Sequence, residues 1–463
     1  MASAQSVRTH SAELRKELGL GDLVLTQIMY VVGTGWVGTA AKLGNQQIVF
    51  WLAAMALFYA PLAAAVIYLN RTLPLEGGLY QWAKLGFNDF AGFLVGWNLW
   101  LYVILIVATF GLGIAASLAY AIGHEALGSN KAFIVLVTCL LVAFLTLVTT
   151  LGLGVGKWFQ SAGGLAQIIA FATLILVPFF GLRGEAARAF HPLAVATPAI
   201  SLLSLNIFSK MAMGAFSGFE YVAILAGECK NPARNIGRSV LIASPLIALM
   251  FILGTSSVLA FVSPEQVDLV GPIPQVLTIA LRPFRWAGWI APAAILLLVG
   301  RQIGNCTLSV AGSTRLPMVA GWDHLLPEWF ATLHPKYKTP VNSVLFVGAL
   351  ILVLGLLGIT GVGQQEAFQI LDNAAGVFYA LAYLAMFALP MVGLRGLRKP
   401  PLWMRAAAAS GFLVTLLYCV MSIFPIVQVT SRLSFAAKIG GVIAGANLFG
   451  ASLYWLAKHK RAR

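Results

Sequence analysis

Long apolar runs separated by short polar stretches recur from one end of the chain to the other. Runs of roughly 20 residues are long enough to cross ~30 Å of hydrocarbon as helices. Twelve helices are expected, at 22–43, 46–70, 90–123, 132–152, 156–181, 199–228, 237–262, 287–314, 341–360, 366–392, 402–425 and 433–457. The runs are continuous rather than alternating, which argues against a transmembrane β-barrel. The stretch 1–21 has no apolar core followed by a small-residue cleavage site, so it reads as a cytosolic tail, with a second tail at 458–463.

Two of these runs are interrupted. Val32-Gly33-Thr34-Gly35-Trp36-Val37-Gly38 places three glycines inside the first, and Gly costs ~1 kcal/mol relative to Ala within a helix. Taken alone, such a stretch is equally compatible with close helix packing of the small-xxx-small kind. The second interruption, Phe216-Ser217-Gly218-Phe219-Glu220, falls at the corresponding place in the sixth run. A pair of Gly-broken helices in two halves of a membrane chain points to an inverted-repeat transporter with its site at the midplane. The repeats are then 22–181 and 199–392, followed by a helix pair at 402–457. Unwound backbone at membrane depth is tolerated where it lines a cavity. The amides of Gly35, Trp36 and Val37 are expected to receive a carboxylate, and the carbonyls of Val31, Val32, Phe216 and Ser217 an ammonium group. Such a site suits a zwitterion.

Composition supports a membrane chain. Of 463 residues, 60% are hydrophobic and 10% charged, against roughly 25% charged in ordinary soluble domains, and the mean hydropathy is +0.88. With the N-terminus placed inside, 20 Lys and Arg fall on the inner side and 8 on the outer, while Lys210 and Arg301 lie within spans. The positive-inside rule therefore puts both termini in the cytoplasm of a cell-membrane protein. Attraction to anionic lipid accounts for the net charge of +15 without nucleic acid. Cys139, Cys229, Cys306 and Cys419 have no metal-ligand or CxxC spacing and read as packing residues, and the histidines sit at loops, tails or helix ends. No nucleophile elbow, P-loop or dinucleotide fingerprint is present, so an enzyme is disfavoured and neither a metal nor a cofactor is expected.

Four stretches resemble the amino acid-polyamine-organocation superfamily of secondary transporters, the amino acid permeases. They are Gly33-Thr34-Gly35; Pro74-Leu75-Glu76-Gly77-Gly78-Leu79-Tyr80-Gln81-Trp82; Phe216 to Glu220 running on to Lys230-Asn231-Pro232-Ala233-Arg234; and Arg315 through Leu325-Leu326-Pro327 to Thr339-Pro340-Val341-Asn342. The resemblance implies a five-plus-five inverted-repeat fold with discontinuous first and sixth helices, alternating access, and uptake or exchange of amino acids or related amines. Where some relatives carry a bulky aromatic gate, this chain has Gly214, and where a small aliphatic residue is usual after Gly-x-Gly it has Trp36. The first change enlarges the pocket and the second fills it.

The candidate substrate-binding residues are thus Val32, Gly33, Thr34, Gly35, Trp36 and Val37 at one break and Phe216, Ser217, Gly218 and Phe219 at the other. For coupling or gating the candidates are Glu220, Arg301 and Asp372. An acid at membrane depth is costly and is by default a site hypothesis, although Glu220 is also compatible with a hydrogen-bonded strut, and Asp372 with capping. In related folds transport is driven by sodium held between the first and eighth helices or by a proton with a fixed positive charge in place of that ion. Arg301 is placed to supply that charge by bonding the carbonyls around Val31 and Val32, and the bland alternative has it snorkelling to the surface. Arg does not titrate at physiological pH, which leaves Glu220 as the expected proton carrier. Glu228 is expected to pair with Lys230 or Arg234. The pocket is expected to be mostly apolar and aromatic, with Trp36 and Phe216 as walls and no acid besides Glu220 and Asp372, favouring neutral or aromatic amino acids. A polyamine or cationic amine carrier of the same fold, and a receptor or channel, are the other readings. Oligomeric state is not legible.

Overall fold

The computed structural model describes residues 16–179, 190, 194–269, 271–281, 287–322, 326–358, 364–392, 400–426, 429 and 431–462. The tail expectations for residues 1–15, the connection around His191 and residues 323–325 of the Arg315 motif lie outside them. Apart from an isolated bridge between Leu18 and Cys229, the described residues are helical or irregular.

The first expected span is two helices, α1 (Leu20–Val31) and α2 (Thr34–Ala41), bent by 41° at their junction. α3 (Gly44–Thr72) contains a π turn at Met55–Tyr59. Then come α4 (Leu79–Gly86), α5 (Asp89–Ala121), α6 (Lys131–Leu151) and α7 (Leu153–Phe179). The sixth expected span is divided into α8 (202–215), whose last six residues Lys210–Ala215 form a π turn, and the single turn α9 (Tyr221–Ile224). α10 (Pro232–Leu259), α11 (Pro272–Leu281), α12 (Ala287–Trp322), α13 (Val341–Gly358), α14 (Gln364–Val392), α15 (Leu402–Met421) and α16 (Arg432–Ala462) complete the order.

Among the described residues nine helices are long and apolar enough to cross a membrane, and ten if the bent pair counts as one span. The sixth expected span does not pass as one helix because it is broken, and α13 is a shorter apolar helix. Boundaries moved where caps decide them. α10 starts at Pro232, five residues before the apolar run, because Pro suits the first helical position and Asn231 turns the chain with φ +46°. The short helices α4 and α11 lie outside the expected spans, since neither is long enough to register as one.

α12 packs along α7 and α5, α14 along α5 and α15, and α1 between α7 and α10. Close approach explains several glycines: on Gly163 and Gly164 of α7 a Cβ would meet Met29 and the Leu25 carbonyl of α1 at 2.8 and 2.5 Å. α16 stands at the periphery with most of its apolar surface exposed, as suits a helix facing hydrocarbon. The two broken elements therefore sit inside the bundle.

Candidate functional site

At the first break the backbone leaves the helix at Val32 and re-enters at Thr34, with Gly33 extended. Gly33 has negative φ, so it is required by space: a Cβ would lie 2.5 Å from the Trp36 ring. The carbonyl of the N-cap Gly33 accepts the first bond of α2 from Val37. The amides left without an intrahelical partner are thus those of Thr34, Gly35 and Trp36, one residue earlier than expected. On the other side of the break, the Met29 carbonyl accepts from Arg301 Nη2 at 3.3 Å and the Tyr30 carbonyl from Asn305 Nδ2 at 3.4 Å. Arg301 is 3% exposed and faces inward, so it does not snorkel, and it reaches Met29 rather than Val31 or Val32. The Val31 carbonyl accepts from the Gly33 amide.

The second break is held differently. Gly218 has φ +125°, a conformation L side chains rarely adopt, and a Cβ there would lie 2.6 Å from the Tyr30 ring. Its amide donates to the Tyr383 hydroxyl at 2.8 Å. Tyr383 and Tyr379, one turn apart on α14, both donate to the Glu220 carboxylate. Glu220 is fully buried and forms the hydrogen-bonded strut between the unwound turn and α14.

A cavity of about 550 Å³ reaches both breaks. Gly33, Thr34, Gly35, Trp36 and Ser217 line it. Val32, Val37, Phe216, Gly218, Phe219 and Glu220 do not. Phe216 is buried against Tyr59, Trp51 and Phe251, with ring centroids 4.2, 5.2 and 5.3 Å away, and Phe219 stacks on Tyr59. Both rings are therefore part of the core and not of the cavity wall. Trp36 and Gly214 are two halves of one contact: a Cβ on Gly214 would meet the Trp36 ring at 2.5 Å. The indole occupies the space that the glycine vacates.

The lining is also more polar than expected. Arg301, Gln302 and Asn305 of α12 face Gln369, Asp372 and Asn373 of α14 around the cavity. Glu265 and Asp268 stand at its mouth with Lys42, which donates to the Glu265 carbonyl at 3.2 Å. Burial pushes the Lys42 ammonium down, opposed by the Glu265 and Asp268 carboxylates. Sequence reasoning passed over two residues. Lys210, 2% exposed, lines the cavity and donates to Asn373 Oδ1 at 2.6 Å; a cation inside an apolar run carries the same signal as Glu220. Tyr102, on the cavity wall, stacks on Tyr379 at 4.0 Å and hides in a run of aromatics that are mostly packing residues.

A second cluster of charged groups ties the end of the sixth span to its neighbours. Glu228 pairs with Arg315 at 2.8 Å, both buried, rather than with Lys230 or Arg234, because α12 delivers the guanidinium to the end of the sixth span. Glu76 accepts from the Gly227 amide at 2.5 Å, and Lys16 donates to the Gly227 carbonyl. Burial and the Glu228 carboxylate push the Glu76 carboxyl up to about 8, against the pull of Arg315 and the Gly227 amide.

Comparison with known proteins decides the family, because a profile described as amino acid permease matches residues 18–444. The chain belongs to the amino acid permease family. This permease is 26% identical over 378 residues to an uncharacterized transporter of Legionella pneumophila subsp. pneumophila, covering 81% of this chain and 80% of that one. It is 25% identical over 393 residues to the branched-chain amino acid permease BcaP of Bacillus subtilis, covering 78% and 80%. The structure of MhsT in complex with L-phenylalanine matches its fold with a TM-score of 0.63 at 14% identity, covering 96% of this chain and all of that one. The permease is thus a multi-pass, all-helical membrane transporter with a small-molecule substrate.

Proposed function

We propose that the permease is a secondary active transporter that carries neutral amino acids by alternating access through this cavity. The reading includes twelve spans, two inverted repeats of five at 22–181 and 199–392, and both termini in the cytoplasm of the cell membrane. The described cavity then opens outward, and the charged contacts around Glu228 and Glu76 close the inner side. The observation that carries the proposal is the position of the free Thr34, Gly35 and Trp36 amides on the cavity wall opposite Ser217. A helix N-terminus presents fixed partial positive charge to a carboxylate. The name of the branched-chain relative agrees with a neutral substrate.

A cationic amine is less well served. Glu220 is spent on two tyrosines away from the cavity, and Asp372 acts electrostatically on Lys210. Sodium has no ready place, because the Met29 and Tyr30 carbonyls are already bonded to Arg301 and Asn305. Coupling is then by exchange or by a proton carried on Glu220, whose partner Tyr379 lines the cavity. Counterflow of labelled amino acid into proteoliposomes preloaded with unlabelled amino acid tests the function. Trans-stimulation is expected of a carrier, and its absence with every amino acid would leave a receptor or channel.

A further inference from the structure

Away from the breaks, the cavity wall carries a polar cluster that an amino acid's own ammonium and carboxylate do not need. Lys210 projects from the π turn of α8 between α14 and α15, its ammonium 5.8 Å from the centroid of the Tyr418 ring. One of its three donors is used on Asn373 Oδ1. Asn373 is fixed in turn, because its Nδ2 donates to the Ser422 carbonyl at 2.9 Å and its oxygen must then face the lysine. Beside it on α14, Asp372 lines the cavity, half-buried, and makes no hydrogen bond among the described residues. Gln369, one turn earlier on the same face, is 7% exposed, lines the same cavity, and its Oε1 is without a partner among the described residues. A buried carbonyl left unpaired in a folded protein calls for a reason, and a ligand that completes it is one.

We propose that Lys210, Asp372 and Gln369 form a subsite for the substrate's side chain, and that the group it takes is a primary carboxamide. This rests on the reading that an amino acid binds at the helix breaks. A carboxamide is neutral and offers an acceptor oxygen to the free donors of Lys210 and two N–H donors to the Asp372 carboxylate and the Gln369 carbonyl. A cationic side chain would meet Lys210, an anionic one would meet Asp372, and an apolar one would leave all three without partners on losing water. Lys210 stands seven residues before Ser217, with the π turn Lys210–Ala215 between them. The longer carboxamide side chain, as in glutamine, spans that gap better than the shorter one of asparagine.

The test is counterflow by the full chain in proteoliposomes with glutamine, asparagine, methionine, glutamate and lysine as competing substrates. Methionine is the control, since it matches glutamine in length and lacks the hydrogen-bonding groups. Glutamine is expected to half-saturate exchange at a concentration at least tenfold below that of methionine, glutamate or lysine, and below that of asparagine. Asp372→Asn and Lys210→Met should each reduce the glutamine-to-methionine preference at least fivefold. The wild-type ranking needs no variant, so a Lys210→Met protein that fails to fold does not remove the test. Methionine exchanged as well as glutamine, or an unaltered preference in Asp372→Asn, overturns the subsite and leaves amino acid transport standing. Absence of exchange with all five overturns the subsite, and absence with every amino acid overturns the transport reading as well.

Discussion

The two helix breaks face each other across the same cavity, yet they spend their freed backbone groups in different ways. At the first, the carbonyls of Met29 and Tyr30 are bonded by α12 side chains while the amides of Thr34, Gly35 and Trp36 are left toward the cavity. At the second, the Gly218 amide goes to Tyr383 and the Glu220 carboxylate to Tyr379 and Tyr383. One break leaves its donors unspent, and the other is built into the scaffold. Gly-rich interruptions that look alike in sequence therefore differ in what a mutation there should damage.

Altering the scaffold break should have the largest effect. Gly218→Ala forces a Cβ into a left-handed backbone and against Tyr30, at a cost of about 3 kcal/mol or more. A large drop in Tm or loss of monodisperse protein is the expected result, and a variant as stable as wild type would show that this turn is not under constraint. Gly35→Val probes the other break. Its Cβ would meet the nearest atom, the Leu269 carbonyl, at 3.4 Å, so the fold should survive while the branches crowd the amides. Substrate affinity should fall by at least about tenfold, or about 1.4 kcal/mol, at near-unchanged Tm; retained affinity would make this break a packing feature.

Next in size, Arg301→Ala leaves the Met29 carbonyl unpaired, and substrate binding should weaken by about 1–3 kcal/mol. Wild-type transport should be indifferent to replacing sodium by choline, and sodium-stimulated uptake at constant pH and membrane potential would contradict the assigned role. Glu220→Gln should keep counterflow, since the amide preserves shape and most hydrogen bonding, but lose acceleration by an inward proton gradient. If acceleration persists, the proton is carried elsewhere, with Asp372 the next acid to test. A pH-dependent effect belongs to the anchor at the end of the sixth span. Glu76 releases its proton near 4.5 when unfolded and near 8 when folded, so over that interval the unfolded state binds fewer protons and stability falls as pH rises. Glu76→Gln should flatten that part of the Tm profile, and an unchanged slope would remove Glu76 as its cause.

The apolar runs were enough to place most helices, because backbone groups in hydrocarbon must bond within their own segment and that requirement is written locally. The breaks were legible for a related reason, since Gly33, Ser217 and Gly218 interrupt runs that would otherwise continue. What the runs could not show is which way a side chain turns once the helix stops. Phe216 looked like a cavity wall and Phe219 like a binding residue and both are core, Trp36 and Gly214 looked like opposing changes and are one contact, and Glu228 found Arg315 from a distant helix instead of a neighbour. Lys210 needed no structure to be noticed, only the rule already applied to Glu220. Its partner did, because Asn373 is 163 residues away. Sequence by itself determined where the long apolar helices lie and where two of the runs unwind, both matters of local hydrogen bonding and hydropathy. The bond partners of the unwound turns, and with them the division between unspent donors and a strut, were decided only by the packing of α12 and α14 against the breaks, which no local pattern encodes.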